Sequence, residues 1–145
     1  MGQRARLYAA EDGLIGPVDW YTSVEGAQYH VDEFLRKKWW KAHSPVTTVV
    51  VEYPAKETGA VFVNATTWRI GFRPTSLNSL NMAHELTHVS LGVTPDATPE
   101  GHEQDHSAHY AAAEVELVRR FLGADVAKAL RAAFEAGGVL VADVR

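Results

Sequence analysis

The stretch that most limits how this chain can fold runs from Asn81 to Gly92 and reads Asn-Met-Ala-His-Glu-Leu-Thr-His-Val-Ser-Leu-Gly. On a helix, residues four apart lie on one face, so His84 and His88 direct two imidazoles at one point while Glu85 projects alongside. The order His84-Glu85-Leu86-Thr87-His88 is the HExxH pattern. Leu77, Leu80 and Leu91 share the histidine side of that helix, and Met82, Leu86 and Val89 cover the opposite side. A helix apolar all round is a buried one. Two imidazoles and a carboxylate inside it are costly unless partnered, and a single divalent cation answers all three.

Composition narrows what else the chain supplies. With 145 residues, 46% of them hydrophobic, there is enough material for one well-filled core, so a single domain spanning 1–145 is expected. There is no cysteine, which excludes a disulfide framework and a thiolate metal site; any metal ligands are His and carboxylate. The net charge of -4 is uneven: residues 1–75 carry nine basic and eight acidic side chains, residues 76–145 five and ten. An acidic half around the motif suits a cation and argues against nucleic acid as a partner. No signal-peptide core follows Met1, and no run approaches the roughly 20 apolar residues of a membrane span. The expectation is a cytoplasmic protein without a membrane partner.

Along the chain, Arg4 to Ala10 reads as a short first strand and Gly13 to Tyr21 as a loop. Thr22-Ser23-Val24-Glu25 has the spacing of a capping box. Val24, Ala27, Val31, Phe34, Leu35 and Trp39 recur on one face, so a helix from about Ser23 to Trp40 is expected. Tyr29 and Trp40 fall on its polar face. Arg36, Lys37, Lys38 and Lys41 gather at its end as cations favoured at a helix C-terminus, and the neighbouring tryptophans are expected to pack. Val46 to Tyr53 reads as a central strand, followed by strands at Ala60 to Asn64 and Thr67 to Arg73. In the last, Trp68, Ile70 and Phe72 alternate with Arg69, Gly71 and Arg73, which marks one buried and one polar face and suggests an edge where an extended peptide could add a strand.

Pro74-Thr75-Ser76 gives a stop and then a cap, so the motif helix is expected over Leu77 to Leu91, ended by Gly92. A loop follows to Asp105, then helices over Ser107 to Leu122 and Ala124 to Ala136, stopped by Gly123 and Gly137-Gly138. Val139 to Arg145 reads as a tail or a short edge strand. The fold class that results is α+β: a small, mostly antiparallel sheet, an N-terminal helix, the motif helix and C-terminal helices.

A catalytic zinc site takes three protein ligands and leaves a position open. His102, His106 and His109 all stand near the start of the helix after the motif. His106 lies at the edge of that helix's apolar arc (Tyr110, Ala111, Val115, Leu117, Val118, Phe121, Leu122), whereas His109 points to solvent. Glu114 falls mid-arc, as a ligand, a partner to a ligand histidine or a core carboxylate. The third ligand is therefore ranked His106, then Glu114, then His102.

His106-Ser107-Ala108-His109-Tyr110 resembles the His-Gly-x-x-Phe element that follows HExxH in SprT-like zincins. More of the chain resembles small actinobacterial and phage-borne HExxH metallohydrolases: Tyr8-Ala9-Ala10-Glu11-Asp12, Val31-Asp32-Glu33, Trp39-Trp40, His84 to His88, His106 to Tyr110, Glu116-Leu117-Val118, and Gly123 to Val139. Ser107 replaces the Gly of that element, and Glu114 stands where an aromatic residue is expected. The resemblance implies a zincin-like fold, Zn²⁺ on His84, His88 and His106, and hydrolysis of a peptide or protein. Glu85 is then the general base, with Tyr110, or His109, as transition-state stabiliser. Two alternatives stand beside it: a partner-specific regulatory protease of the ImmA-like kind, which Leu80 to Leu91 also resembles, and a non-catalytic, zinc-stabilised peptide-binding or regulatory module.

Overall fold

A computed structural model describes residues 2–92 and 106–143; the expected Gly92-to-Asp105 loop, past Gly92 itself, and the His102 candidate lie outside them. The chain divides into two compact units, one of residues 17–94, the other of residues 1–16 and 95–145. Among the described residues there are six α-helices and one three-stranded mixed sheet, an α+β protein. No helix among them is long and apolar enough to cross a membrane.

The unit of residues 17–94 opens with a short 3-10 turn, Pro17–Asp19, and then α2, Val24–Leu35, if the N-terminal helix of the other unit is counted as α1. Its cap is Ser23, whose hydroxyl accepts from the Gly26 amide at 3.0 Å. The cap therefore sits one residue later than in a Thr22–Glu25 box, and Glu25 serves the first turn as a favourable charge at the positive helix end. The helix then breaks at Arg36–Lys37 and restarts as α3, Lys38–His43. The single long helix expected from the apolar spacing does not form, and Trp40 explains why. Carried on without a break, Trp40 would stand on the polar face; after the break it is fully buried and its indole N–H donates to the Val46 carbonyl at 2.7 Å. Burying a tryptophan gains about 4–6 kcal/mol, more than the one or two helical hydrogen bonds lost at about 1 kcal/mol each.

Strands β1 (Thr48–Glu52), β2 (Gly59–Asn64) and β3 (Thr67–Gly71) follow, in the order β1-β3-β2. β3 is central, antiparallel to β2 and parallel to β1, so the sheet is mixed rather than mostly antiparallel, and the expected places of β1 and β3 exchange. The alternation in β3 is real: Trp68, Ile70 and Phe72 are buried. It marks a two-faced strand, which a central position satisfies as well as an edge one. The outer edge of β1 is closed by one side chain of α2: Gln28 donates to the Val49 carbonyl at 2.7 Å and accepts from the Val51 amide at 2.8 Å, replacing a neighbouring strand. On the outer face Val50 and Val61 flank Arg69, which pairs with Glu52 at 3.2 Å in solvent. The inner face is covered by α2 over β1 and by α4, Ser79–Leu91, over β2 and β3.

The other unit holds α1 (Gln3–Asp12), α5 (Ala108–Phe121) and α6 (Ala124–Ala136), with α6 packed on both others. The first element is thus a helix, not the expected strand. Gln3 to Asp12 contains three Ala, two Arg, a Leu and a Glu and no β-branched residue, a composition that favours helix throughout. After α6 the described residues join no sheet. Gln3 brackets Leu140 with its amide, donating to the carbonyl at 2.8 Å and accepting from the N–H at 3.0 Å, and the Ala142 amide donates to the Ala108 carbonyl at 3.0 Å. Through Ala142 the expected tail is fixed by hydrogen bonds, and it forms no strand.

Candidate metal centre

The motif helix α4 is defined at both ends by local chemistry. Asn78, not Ser76, is the cap: its side chain accepts from the Asn81 amide at 2.8 Å, while the Asn81 side chain donates to the Ser76 carbonyl at 2.9 Å. Gly92 ends the helix at φ 70°, and its N–H reaches the His88 and Val89 carbonyls. Between these caps every residue from Met82 to Val89 is buried. Thr87 tolerates that burial by donating to the Ala83 carbonyl one turn back at 2.8 Å.

His84 and His88 are 4% and 0% exposed, with ring centroids 5.1 Å apart and planes at 69°. A ring nitrogen of each lies within 4.8 Å of the other. Two nitrogens each about 2 Å from one zinc are separated by roughly 3–4 Å, so the pair fits a shared divalent ion. Glu85, 6% exposed, holds its Oε1 3.9 Å from His84 Nε2. The unit of residues 17–94 therefore brings together His84, Glu85 and His88, two imidazoles and a carboxylate on one rigid element.

The remaining candidates belong to the other unit. His106 directly precedes Ser107, the cap of α5, whose hydroxyl accepts from the Tyr110 amide at 3.3 Å. The imidazole is 1% exposed and lies between two phenols, with centroid distances of 5.1 Å to Tyr8 and 5.0 Å to Tyr110. The Tyr8 hydroxyl is 3.2 Å from His106 Nε2. Glu114 is fully buried, and a carboxylate oxygen of it lies within 4.8 Å of one of Glu11, itself 3% exposed. His109 is exposed, as its place on the helix predicts.

Two side chains here were missed in the sequence reading. Reading Arg4 to Ala10 as a strand hid that Leu7 and Glu11, one turn apart, form the buried stripe of a helix, and that Tyr8 rides beside it. The signal was available in the helix-forming composition of Gln3 to Asp12. Tyr110, proposed from sequence as a stabiliser of developing charge, is 1% exposed, whereas Tyr8 is 36% exposed with its hydroxyl on a ligand-type nitrogen. Of the two phenols, Tyr8 is the better placed to meet a bound molecule.

Comparison of the chain with protein-family models, with curated proteins and with solved structures finds no match.

Proposed function

We propose that the chain is a zincin-like metallopeptidase that holds Zn²⁺ on His84, His88 and His106 and cleaves a peptide or protein substrate. The observation that carries this reading is the buried trio on α4: two imidazoles whose nitrogens converge within 4.8 Å, and a carboxylate 3.9 Å from one of them. His84 and His88 grip from one face, and His106 is the third donor by its residue type, its burial and its position ahead of a capped helix. A zinc ion so held supplies a Lewis acid for the scissile carbonyl and acidifies water. Glu85 takes the proton from the attacking water and passes it to the leaving amine. Tyr8 or Tyr110 donates a hydrogen bond to the developing oxyanion.

The sheet supports a peptide as substrate. β2 is an edge strand packed against the motif helix, and Val61, Phe62 and Val63 are exposed along it. An extended chain can add there as a further strand, its backbone matched to β2 and its side chains to those apolar positions. The second reading, a zinc-stabilised peptide-binding module without turnover, draws on Glu114, a fully buried carboxylate of ligand type that would fill the position hydrolysis needs open.

The test is peptide hydrolysis by wild type, Glu85→Gln and Glu114→Ala, each with its zinc content measured. Hydrolysis lost by at least about 100-fold in Glu85→Gln with zinc retained supports the peptidase. Zinc bound by every form with no turnover in wild type supports the binding module.

A further inference from the structure

The basic cluster at the end of α2 plays no part in the proposed metal chemistry, and it borders a cavity. Four of the chain's fourteen Lys and Arg fall between 36 and 41, and no Asp or Glu occurs from Phe34 to Val51. In a chain of net charge -4 this is an island of the opposite sign. A cleft of about 550 Å³ opens beside it, its lining shared among Arg36, Lys41, Asp32, Leu35, Pro45 and Val46. That volume falls within the range of small-molecule sites, where apolar walls hold the body of a ligand and a few polar groups orient it.

The charges on its walls are not equivalent. Asp32 is engaged inward, accepting from Gln28 at 2.9 Å. Arg36 pairs with Glu33 through one guanidinium nitrogen, leaving other N–H donors of its fork for a second acceptor. Among the described residues Lys41 makes no ion pair. Lys37 lies over the Phe34 ring at 5.8 Å and, like Lys38, does not line the cleft. A nucleic-acid surface would need free aromatic faces beside these cations. Both tryptophans are already engaged: Trp40 is buried with its N–H on Val46, and Trp39 stacks on His43 at 4.4 Å and 25°. What remains is a cavity lined by two cations and by the apolar Leu35 and Val46.

We propose that this cleft binds a small organic anion, a carboxylate or phosphate head held by Arg36 and Lys41 and an apolar body seated on Leu35 and Val46. The site shares no residue with the motif helix and does not depend on the metal reading. Phenyl phosphate and inorganic phosphate serve as probes, titrated calorimetrically and by amide chemical shifts with and without chelator. Phenyl phosphate saturates the wild-type protein at least about fivefold more tightly than inorganic phosphate, because only it carries an apolar body. Its shifts concentrate at residues 35–36 and 41–48, and chelator leaves its affinity unchanged. Lys41→Gln and Arg36→Gln, both at exposed side chains, each weaken it by about fivefold or more, while Lys38→Gln changes it by less than about twofold. Equal weakening by Lys38→Gln, equal affinity for the two probes, shifts elsewhere, or tighter binding of a single-stranded oligonucleotide would each overturn the proposal.

Discussion

The motif helix and the helix that follows it carry buried polar groups in contrasting ways. In α4 the two imidazoles and the carboxylate lie within five consecutive residues, and the caps that place them, Asn78 and Gly92, are adjacent to the same element. In the unit of α1, α5 and α6 the pairs are distant in sequence: Tyr8 meets His106, and Glu11 lies beside Glu114. Side chains carried on one helix are brought together by that helix alone. A site written on two needs the packing that aligns them, so its integrity follows the core rather than the local sequence.

The largest expected effect sharpens that contrast. Leu7→Ala removes a fully buried side chain from α1 and costs about 2–5 kcal/mol. Chemical-shift changes should be largest at Tyr8, Glu11, His106 and Glu114, the residues whose pairing depends on α1. Those four residues staying near wild type would contradict their dependence on the core.

Next come the caps of the motif helix. Asn78→Ala, read by thermal or denaturant unfolding, should cost about 1 kcal/mol by releasing the Asn81 amide. Gly92→Ala should cost a similar amount, about 1 kcal/mol, because φ 70° is strained for any residue with a Cβ. That penalty is conformational, since a Cβ at Gly92 meets no described atom within 4 Å. Neutral outcomes at both positions would show that α4 is held by packing alone.

The smallest effect is on the surface of α5. Arg119 donates to Glu116 at 2.8 and 3.0 Å and holds its carboxyl below the ordinary range, with burial opposing and Arg120 assisting. A carboxyl whose folded pKa lies below its unfolded one adds stability above the unfolded value, and that gain is lost as pH falls through the folded value. Glu116→Gln should therefore be less stable than wild type near neutrality, by no more than about 0.5 kcal/mol for a solvent-screened group. The gap should close in acid. A gap that widens in acid would contradict the pairing.

What could be read in advance follows the same division. The motif helix, the two C-terminal helices with their glycine stops, and the buried face of β3 were legible, because each signal is periodic and confined to its own element. The break at Arg36–Lys37 was not. The spacing Val24 to Trp39 satisfies one helix, and only the Trp40-to-Val46 hydrogen bond, made with a residue beyond the helix, decides against it. The exchange of β1 and β3 also escaped, since the edge of β1 is closed by Gln28, a polar residue on another element. Glu114 was singled out as anomalous within an apolar arc. Its neighbour Glu11 could not be identified while α1 was read as a strand.

The measurement that bears most directly on the central claim is zinc stoichiometry and affinity of the purified chain, compared among wild type, His84→Ala, His88→Ala and Glu85→Gln. Wild type and Glu85→Gln should each hold about one zinc per chain, and either histidine change should abolish tight binding, because two donors from one helix form the core of the site. Wild-type protein that binds no zinc, or histidine variants that bind it as tightly as wild type, would contradict the account.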